Sequence, residues 1–459
     1  MEIKYQPKNG WETINSEEKQ NVFAFCEKYA DFLNKAKTER EAVRETVRLA
    51  RENGFVELEE TSRLKKGDRV YAVNKEKGVL LAVIGSDTEA GMNIIAAHVD
   101  CPRLDLKQNP LYEDTDLALF KTHYYGGIKK YQWTALPLAI HGVVIKSNGE
   151  KIDISIGENE NEPVFCITDL LPHLADEQMK KNMREAITGE GLNILAGSMP
   201  GKEEKEKFKS EILRLLNEKY GIVEEDFLSA ELEAVPAYKV RDLGFDKSMI
   251  AAYGQDDRVC SYTALCGILE INSPEKTAVC VLADKEEIGS VGNTGMQSRF
   301  FEDTIARILA LEKNNYSDLS IRKAFSNSLC LSADVGAAAD PNFKDVFEAQ
   351  NAPKLNYGIL LTKYTGSRGK SGSNDASAET VGKIRRLFND NGIVWQMGEL
   401  GKVDAGGGGT VAQFVANLNI ETIDCGVPLL SMHSPFEVAG KLDIYMAYKA
   451  YKSFLQNLF

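Results

Sequence analysis

A histidine and an aspartate stand together where an apolar run ends, in the sequence Ala96-Ala97-His98-Val99-Asp100. Ligands of open α/β sheets bind beside the carboxyl ends of the strands, so this position favours a role in ligand binding or catalysis. Residues two apart on an extended chain point the same way, and Asp100 can therefore hold the second ring nitrogen of His98. The motif is typical of a metal ligand with a supporting carboxylate, although a structural histidine beside a loop aspartate would give the same pattern.

A second apolar run ends in an acidic cluster, Asp284-Lys285-Glu286-Glu287. Carboxylates packed this closely repel one another unless a cation lies among them. Neighbouring carboxylates can also divide the work, one binding a metal ion while the other takes a proton from water at the metal. The alternative interpretation is a solvated acidic turn.

Three further segments supply residues of the same kinds. Asp256 and Asp257 begin a predicted helix, where N-capping explains only one of them. Asp334 ends another apolar strand, and His433 follows a further one. Two hard or borderline cations that share one carboxylate each need about one histidine and one further carboxylate that binds that cation alone. The five segments together meet that requirement, and two ions roughly 3.5–4 Å apart can polarise a carbonyl and activate water.

The elements that must position these residues alternate between apolar strands and helices. Helices are predicted from Ser16 to Ala36, from Glu39 to Asn53 and from Asp257 onward. Continuous apolar runs predict strands at residues 79–85, 93–97, 277–283, 328–333, 356–362 and 421–425. Apolar strands between helices predict an α/β sheet covered by helices on both faces.

The middle of the chain has a different pattern. It contains stretches of alternating polarity, followed by predicted helices that are strongly charged, including the run Lys202-Glu-Glu-Lys-Glu-Lys. Such a change in pattern is typical of a domain inserted into another domain. We therefore predict a discontinuous domain of residues 1–105 and 241–459, and an inserted domain of residues 106–240.

Composition narrows the class of protein. The 459 residues suffice for two or three domains, and the 43% apolar and 27% charged content is ordinary for a soluble globular chain. A net charge of −13 argues against nucleic acid or anionic lipid as the main partner. No window approaches the roughly 18 consecutive apolar residues of a membrane span, and no signal peptide is apparent. Eight scattered cysteines without a CxxC pair indicate reduced core residues, so we predict a cytoplasmic protein.

Taken in order, the motifs resemble the aspartyl aminopeptidase and vacuolar aminopeptidase I family of two-zinc exopeptidases. The resemblance rests on His-x-Asp, Asp-Asp at a helix start, Asp-x-Glu-Glu-x-Gly-Ser, Ser-Ala-Asp and Ser-Met-His-Ser, and it spans nearly the whole chain. It implies a three-layer α/β sandwich with a mixed central sheet and an inserted, mostly β lid or dimerisation domain. It also implies self-association into a hollow tetrahedral dodecamer built from dimers.

The resemblance implies a metal site that holds two divalent ions per subunit. Asp256 would bridge two zinc ions, with cobalt or manganese as alternatives. His98 and Asp334 would complete one site, and Glu287 and His433 would complete the other.

The same resemblance implies the catalytic roles. Glu286 would act as the general base towards water activated by the two metals and would later protonate the leaving amine. Asp100 would orient His98. Such an enzyme removes the N-terminal residue from peptides.

The chain departs from the aspartyl-specific branch of the family in two places. That branch has a histidine a few residues after Pro-His-Leu, whereas here Asp176 and Glu177 follow. It also has histidines after Ser-Ala-Asp, where this chain continues as Gly-Ala-Ala-Ala-Asp340. Carboxylates at these positions would repel an acidic side chain. The preferred N-terminal residue therefore stays open between acidic and neutral, with a basic residue as a further alternative.

Other functions remain open on the sequence alone. A two-metal N-acyl-amino-acid deacylase would use the same chemistry, and a non-catalytic assembly protein could retain the fold, although the intact Glu286 argues against loss of activity. An ATPase is the weakest alternative: the stretch from Gly366 to Ser371 ends like a phosphate-binding loop, but Tyr364 stands where its leading glycine belongs. The expected partners are peptides and other copies of the chain, with neither nucleic acid nor membrane.

Overall fold

The computed structural model describes residues 3–4, 7–313 and 316–457. Its helices are α1 (Ser16–Lys35), α2 (Glu39–Glu52), α3 (Asp176–Met179), α4 (Met183–Ala186), α5 (Lys207–Tyr220), α6 (Gln255–Leu269), α7 (Phe300–Glu312), α8 (Asp318–Ser326), α9 (Ala378–Asp390), α10 (Ala412–Ala416) and α11 (Lys441–Gln456). Its strands are β1 (Val56–Glu57), β2 (Arg69–Asn74), β3 (Gly78–Val83), β4 (Met92–His98), β5 (Arg103–Asp114), β6 (Leu117–Tyr125), β7 (Leu138–Ile145), β8 (Lys151–Ile156), β9 (Ile194–Gly197), β10 (Ala230–Pro236), β11 (Arg241–Leu243), β12 (Met249–Ala252), β13 (Thr277–Ala283), β14 (Leu329–Ser332), β15 (Gly336–Ala337), β16 (Ile359–Thr362), β17 (Gly366–Ser367), β18 (Trp395–Met397), β19 (Gly407–Gly408), β20 (Glu421–Gly426), β21 (Pro428–Leu430) and β22 (Glu437–Gly440).

The chain divides into two compact units. The first contains the described residues up to Asp100, then Val240–Met432, and then the described residues from Glu437 onward. The second contains Cys101–Lys239 together with His433–Phe436.

The first unit contains a nine-stranded sheet with the order β1-β2-β3-β13-β4-β14-β20-β16-β18. The neighbours β13, β4, β14 and β20 run parallel, whereas β3 and β16 run antiparallel to β13 and β20 respectively. The predicted mixed central sheet is thus confirmed. A five-stranded sheet, in the order β11-β12-β22-β21-β15, belongs to the same unit.

Burial along the central strands shows why helices cover both faces of this sheet. Successive side chains of a strand point to opposite faces. In β4, Ile95 and Ala97 pack into one apolar cluster with residues of α1, α2, α6, α9 and α11. The alternate residues Ile94 and Ala96 pack into a second cluster with residues of α7, α8 and α10. The fold is therefore the expected three-layer α/β sandwich.

The first two helices show how local sequence determines where the predicted elements begin. Asn15 caps α1 by accepting the backbone N–H of Glu18, and Thr38 and Glu41 form a capping box at the start of α2. Both helices lie within one residue of their predicted bounds.

The second unit is mostly β structure, as expected for the inserted domain. It is built on a six-stranded antiparallel sheet with the order β8-β7-β10-β5-β6-β9. The prediction that the charged run from Lys202 is helical is wrong for residues 202–206, because α5 begins only at Lys207. Glu206, with φ 47°, has a left-handed conformation that a helix cannot contain.

One strand, the cysteines and the apolar character of the helices are further features of the described residues that bear on the expectations. The strand predicted at 356–362 begins only at Ile359, because Gly358 has φ 81° and interrupts the extended backbone. All eight cysteines are free thiols, and six of them are buried. Among the helices of the described residues, none combines the length and the apolar character needed to cross a membrane.

Candidate metal centre

Three adjacent parallel strands bring the predicted site residues to one edge of the central sheet. Strand β4 lies between β13 and β14, and all three run in the same direction, so their carboxyl ends meet. His98 is the last residue of β4, Glu286 follows the end of β13, and Asp334 follows the end of β14. The predicted convergence at strand ends is therefore a consequence of the sheet order.

The imidazole of His98 lies at the centre of these carboxylates. Its Nε2 is 3.3 Å from an Asp256 oxygen and 3.9 Å from an oxygen of Asp334. An oxygen of Glu286 also lies 3.9 Å from Nε2. On the other side of the ring, Nδ1 is 3.2 Å from an Asp100 carboxylate oxygen. When Asp100 accepts the proton on Nδ1, Nε2 is the ring atom that faces the other carboxylates, where it can bind a proton or a metal ion.

Charge crowding shifts the pKa of the buried groups. Burial disfavours the imidazolium form of His98, but its hydrogen bonds with the surrounding carboxylates outweigh burial and raise its pKa well above the usual value. Burial, reinforced by the negative charge of Asp334, raises the pKa of Glu286 to about 8. Burial followed by repulsion from Asp334 also raises the pKa of Asp257 well above its usual value. Several negative groups therefore share a volume that disfavours their charge.

The start of α6 supplies the next carboxylates. Asp256 and Asp257 are buried and have non-helical backbone angles, and the peptide bond between them is cis. The side chain of Asp257 turns away to accept the backbone N–H of His98 at 3.3 Å. Asp256 instead presents an oxygen to the imidazole, so the adjacent aspartates have different environments.

The geometry of the donor atoms fits a divalent cation. One donor atom each from His98, Asp256 and Asp334 lie within 4.8 Å of one another. A carboxylate oxygen of Glu287 likewise lies within 4.8 Å of one from Asp256. One imidazole nitrogen and several carboxylate oxygens form a set that zinc accepts, and a cation would offset the negative charge of these crowded carboxylates.

Asp100 connects the histidine to the acidic pair. Its two carboxylate oxygens accept the backbone N–H groups of Glu286 at 3.1 Å and of Glu287 at 3.2 Å. The same side chain lies against Nδ1 of His98 and is fully buried. Asp100 therefore fixes the backbone after β13 relative to the end of β4.

Two of the remaining histidines, His141 and His433, belong to the second unit. His433 belongs to the second unit and directly follows Met432 of the first. Its Nδ1 lies 2.8 Å from the Gly127 carbonyl oxygen. His141 is buried and pairs with Glu158 at 3.1 Å.

Two contacts at the site carry no sequence signal of the kind used above. Ser261, in the second turn of α6, donates its hydroxyl to the His98 carbonyl oxygen at 2.6 Å. Glu437 accepts backbone N–H groups at the start of the same helix. A charged residue that opens an otherwise apolar strand, as Glu437 does in Glu-Val-Ala-Gly, is the signal that could have revealed the second contact.

Removing metal with a chelator should make the stability of the protein fall as pH rises from about 4.5 to about 8. The pKa of Glu286 is raised from 4.5 to about 8 on folding, so in this window the folded state binds more protons than the unfolded chain. The free energy of unfolding then decreases with pH, by at most about 1.4 kcal/mol per pH unit for one group. The raised pKa of Asp257 acts in the same direction.

Differential scanning calorimetry of chelated and zinc-loaded protein across this window checks the expectation. Zinc should increase Tm more at pH 8 than at pH 5.5. A chelated protein whose Tm is independent of pH, or a zinc effect that shrinks towards pH 8, would contradict it.

Comparison with known proteins adds independent information. The sequence profile of the family described as aminopeptidase I zinc metalloprotease (M18) matches residues 32–455. The chain belongs to the M18 aminopeptidase family. It is 51% identical over 457 residues to a protein of Clostridium acetobutylicum named "Probable M18 family aminopeptidase 1", and the match covers 98% of each sequence.

Solved structures agree with the family assignment. A crystal structure of an M18 family aminopeptidase from Thermotoga maritima is 48% identical, with a TM-score of 0.96, and the match covers 99% of this chain and all of that one. A structure described as the S. cerevisiae mApe1 dodecamer is 22% identical with a TM-score of 0.77, covers 95% of this chain and 97% of that one, and shows a shared fold. The M18 chain described here is a zinc aminopeptidase, a hydrolase that acts on peptide bonds.

Proposed function

We propose that the protein removes single N-terminal residues from peptides with two zinc ions per subunit, and that Glu286 is the general base. The observation that carries this proposal is Glu286, whose carboxylate oxygen lies 3.9 Å from the imidazole of a possible zinc ligand, His98. A carboxylate so close to the candidate ligands, yet outside the compact set formed by His98, Asp256 and Asp334, is suited to proton transfer.

The proposed ligands share one bridging residue. Asp256 would be the ligand shared by the two ions, because its oxygens approach both His98 and Glu287. His98 and Asp334 complete the first site. Glu287 and His433 complete the second, and the position of His433 directly after Met432 of the first unit supports that role.

The side chains then act in sequence on a bound peptide. When bound by these residues, zinc would supply Lewis acidity for the scissile carbonyl and would lower the pKa of water at the site. Glu286 takes a proton from that water and later delivers it to the leaving amine. Burial raises the pKa of Glu286, which makes its carboxylate a stronger base towards that water.

Asp100 is proposed to hold His98 and Glu286 in position and not to act on the substrate itself. Its carboxylate and its backbone carbonyl oxygen lie 3.2 Å and 3.1 Å from Nδ1 of His98, and by accepting the Nδ1 proton they keep Nε2 available to the metal. Because the same carboxylate accepts the N–H of Glu286, it also holds the base beside the ligands.

Substrate preference and metal choice are tested together. Purified protein loaded with Zn²⁺, Co²⁺ or Mn²⁺ is assayed with p-nitroanilides of Asp, Glu, Leu, Met, Lys and Arg. We propose that acidic or neutral N-terminal residues are preferred, with zinc as the resident metal. N-acetylated versions of the same anilides serve as matched controls, since an aminopeptidase needs the free amine.

The outcomes separate the rival functions. Turnover of free but not acetylated anilides is the expected result. Release of acetate from N-acetyl amino acids would instead support a deacylase. Absence of turnover with every metal and residue would support a non-catalytic assembly protein.

The assembly is proposed to be a homododecamer built from dimers, in which the second unit serves as lid and dimerisation domain. The support is the description of the yeast mApe1 structure as a dodecamer. Mass photometry of the purified chain should show one species near twelve subunit masses, and a monomer at working concentration would overturn the proposal.

The proposed location of the protein is the cytoplasm. Its free thiols, which occur throughout the chain, support this location.

A further inference from the structure

The first turn of α6 lacks a cap of its own. Gly254 precedes the helix with φ 73° and has no side chain to accept the first N–H groups. Asp256 and Asp257 have non-helical angles, so the backbone there is not held by regular helix hydrogen bonds. The N–H groups of Gln255 and Asp256 are buried and therefore need another acceptor.

A carboxylate from a neighbouring strand provides that acceptor. Oε2 of Glu437 accepts the N–H of Gln255 at 2.7 Å and the N–H of Asp256 at 3.1 Å. The backbone carbonyl of Glu437 also accepts the side-chain amide of Gln255 at 2.8 Å. Glu437 is 1% exposed, so these backbone donors take the place of water as hydrogen-bond partners of Oε2.

The strand register explains how Glu437 reaches this place. Strand β22 pairs antiparallel with β12, with Glu437 opposite Ala252, and β12 leads directly into the turn before α6. Glu437 also follows His433 by four residues in the sequence. The side chain of Glu437 therefore connects the backbone of Asp256 to β22, the strand that follows the candidate ligand His433.

From these contacts we infer that Glu437 is a positioning residue for the metal centre. By accepting the backbone N–H of Asp256, Glu437 holds the carboxylate of Asp256 in place. This inference rests on the proposed role of Asp256 as a zinc ligand. Zinc–oxygen bonds of about 2.0–2.2 Å tolerate little displacement, so loss of the backbone anchor weakens zinc binding and slows catalysis. Supporting residues of this kind typically change metal affinity or activity by about 10–100-fold.

The structure offers a matched control in the same unit. Asp443 is also fully buried, and its carboxylate accepts two backbone N–H groups, from Asn356 at 2.6 Å and from Gly358 at 2.7 Å. Neither of these partners is a candidate ligand. Glu437→Ala and Asp443→Ala therefore remove the same kind of anchor, but only the first removes it beside Asp256.

The test measures zinc affinity by competition with a chromogenic chelator, together with kcat, KM and Tm. Both alanine variants should have a lower Tm. Glu437→Ala should bind zinc at least about 10-fold more weakly and lose kcat more than it changes KM, whereas Asp443→Ala should keep wild-type zinc affinity. Glu437→Gln, which retains an acceptor oxygen, should restore both properties. If Glu437→Ala does not fold, Glu437→Asp, which withdraws the carboxylate by one methylene, is measured in its place.

Wild-type zinc affinity in Glu437→Ala, or in Glu437→Asp where that variant replaces it, would overturn the inference. Equal zinc loss in Asp443→Ala would overturn it too, because the effect would then be general destabilisation. Asp256→Asn is measured alongside. If that variant binds zinc like the wild type, the proposed ligand role itself has failed. If it loses zinc while the Glu437 variants do not, only the positioning role has failed.

Discussion

Replacing Glu286 with Gln should lower kcat about 1000-fold and leave the zinc content, the fold and KM nearly unchanged. The amide has the size of the carboxylate but cannot accept the proton from water or return it to the leaving amine. General acid–base groups typically contribute about 10²–10⁴-fold, so a loss of this order is expected. The backbone N–H of Glu286, which Asp100 accepts, is retained in the variant.

The adjacent Glu287→Gln variant is the matched control. Both residues stand in the same turn, and Asp100 accepts both of their backbone N–H groups. Only Glu287 is proposed as a ligand, so its variant should lose zinc as well as activity, whereas Glu286→Gln should lose activity alone. Zinc is measured by inductively coupled plasma mass spectrometry and kcat with the preferred anilide. Near-normal kcat in Glu286→Gln would refute the assigned base.

Much of the candidate site could be predicted because its residues follow the ends of apolar strands. His98 ends such a run, Asp334 follows two residues after β14 and Glu286 three residues after β13, and parallel strands place their carboxyl ends together. The three-layer architecture could be predicted for a similar reason, since strands that are apolar on both faces must be covered on both faces. The order of the strands in the sheet could not be read from these runs, because it depends on long-range pairing.

The residues that escaped prediction act through the backbone. Glu437 contacts Gln255 and Asp256 across more than 180 positions of sequence, and its hydrogen bonds depend on the register of β22 against β12. The distorted first turn of α6 was equally invisible, because Asp is a common residue at regular helix starts. Spacing reveals side chains that share an element but not carboxylates that stabilise a distant turn.

Replacing Asp256 with Asn should remove both zinc ions and reduce kcat/KM by about 1000-fold or more. A shared ligand affects both sites at once, and each ion supplies several kcal/mol of transition-state stabilisation. Without metal, the same change removes one negative charge from a crowded buried cluster. Chelated Asp256→Asn should therefore be at least as stable as the chelated wild type at pH 8, the reverse of its effect in the presence of zinc.

Asp257→Asn is the control for this second prediction. Asp257 is adjacent and equally buried, but its carboxylate accepts the N–H of His98 and is not a proposed ligand. Its variant should retain zinc under conditions in which Asp256→Asn does not. Zinc loss in Asp257→Asn but not in Asp256→Asn would show that the two aspartates had been assigned the wrong way round, and similar loss in both variants would show that they act together.

The most direct test of the central claim is the number of zinc ions bound per chain after equilibrium dialysis of the wild type and of Asp256→Asn. We expect two ions for the wild type and close to none for the variant, because Asp256 is proposed as the ligand shared by both sites. A wild type that binds a single ion, or a variant that retains two, would contradict a two-zinc centre bridged by Asp256.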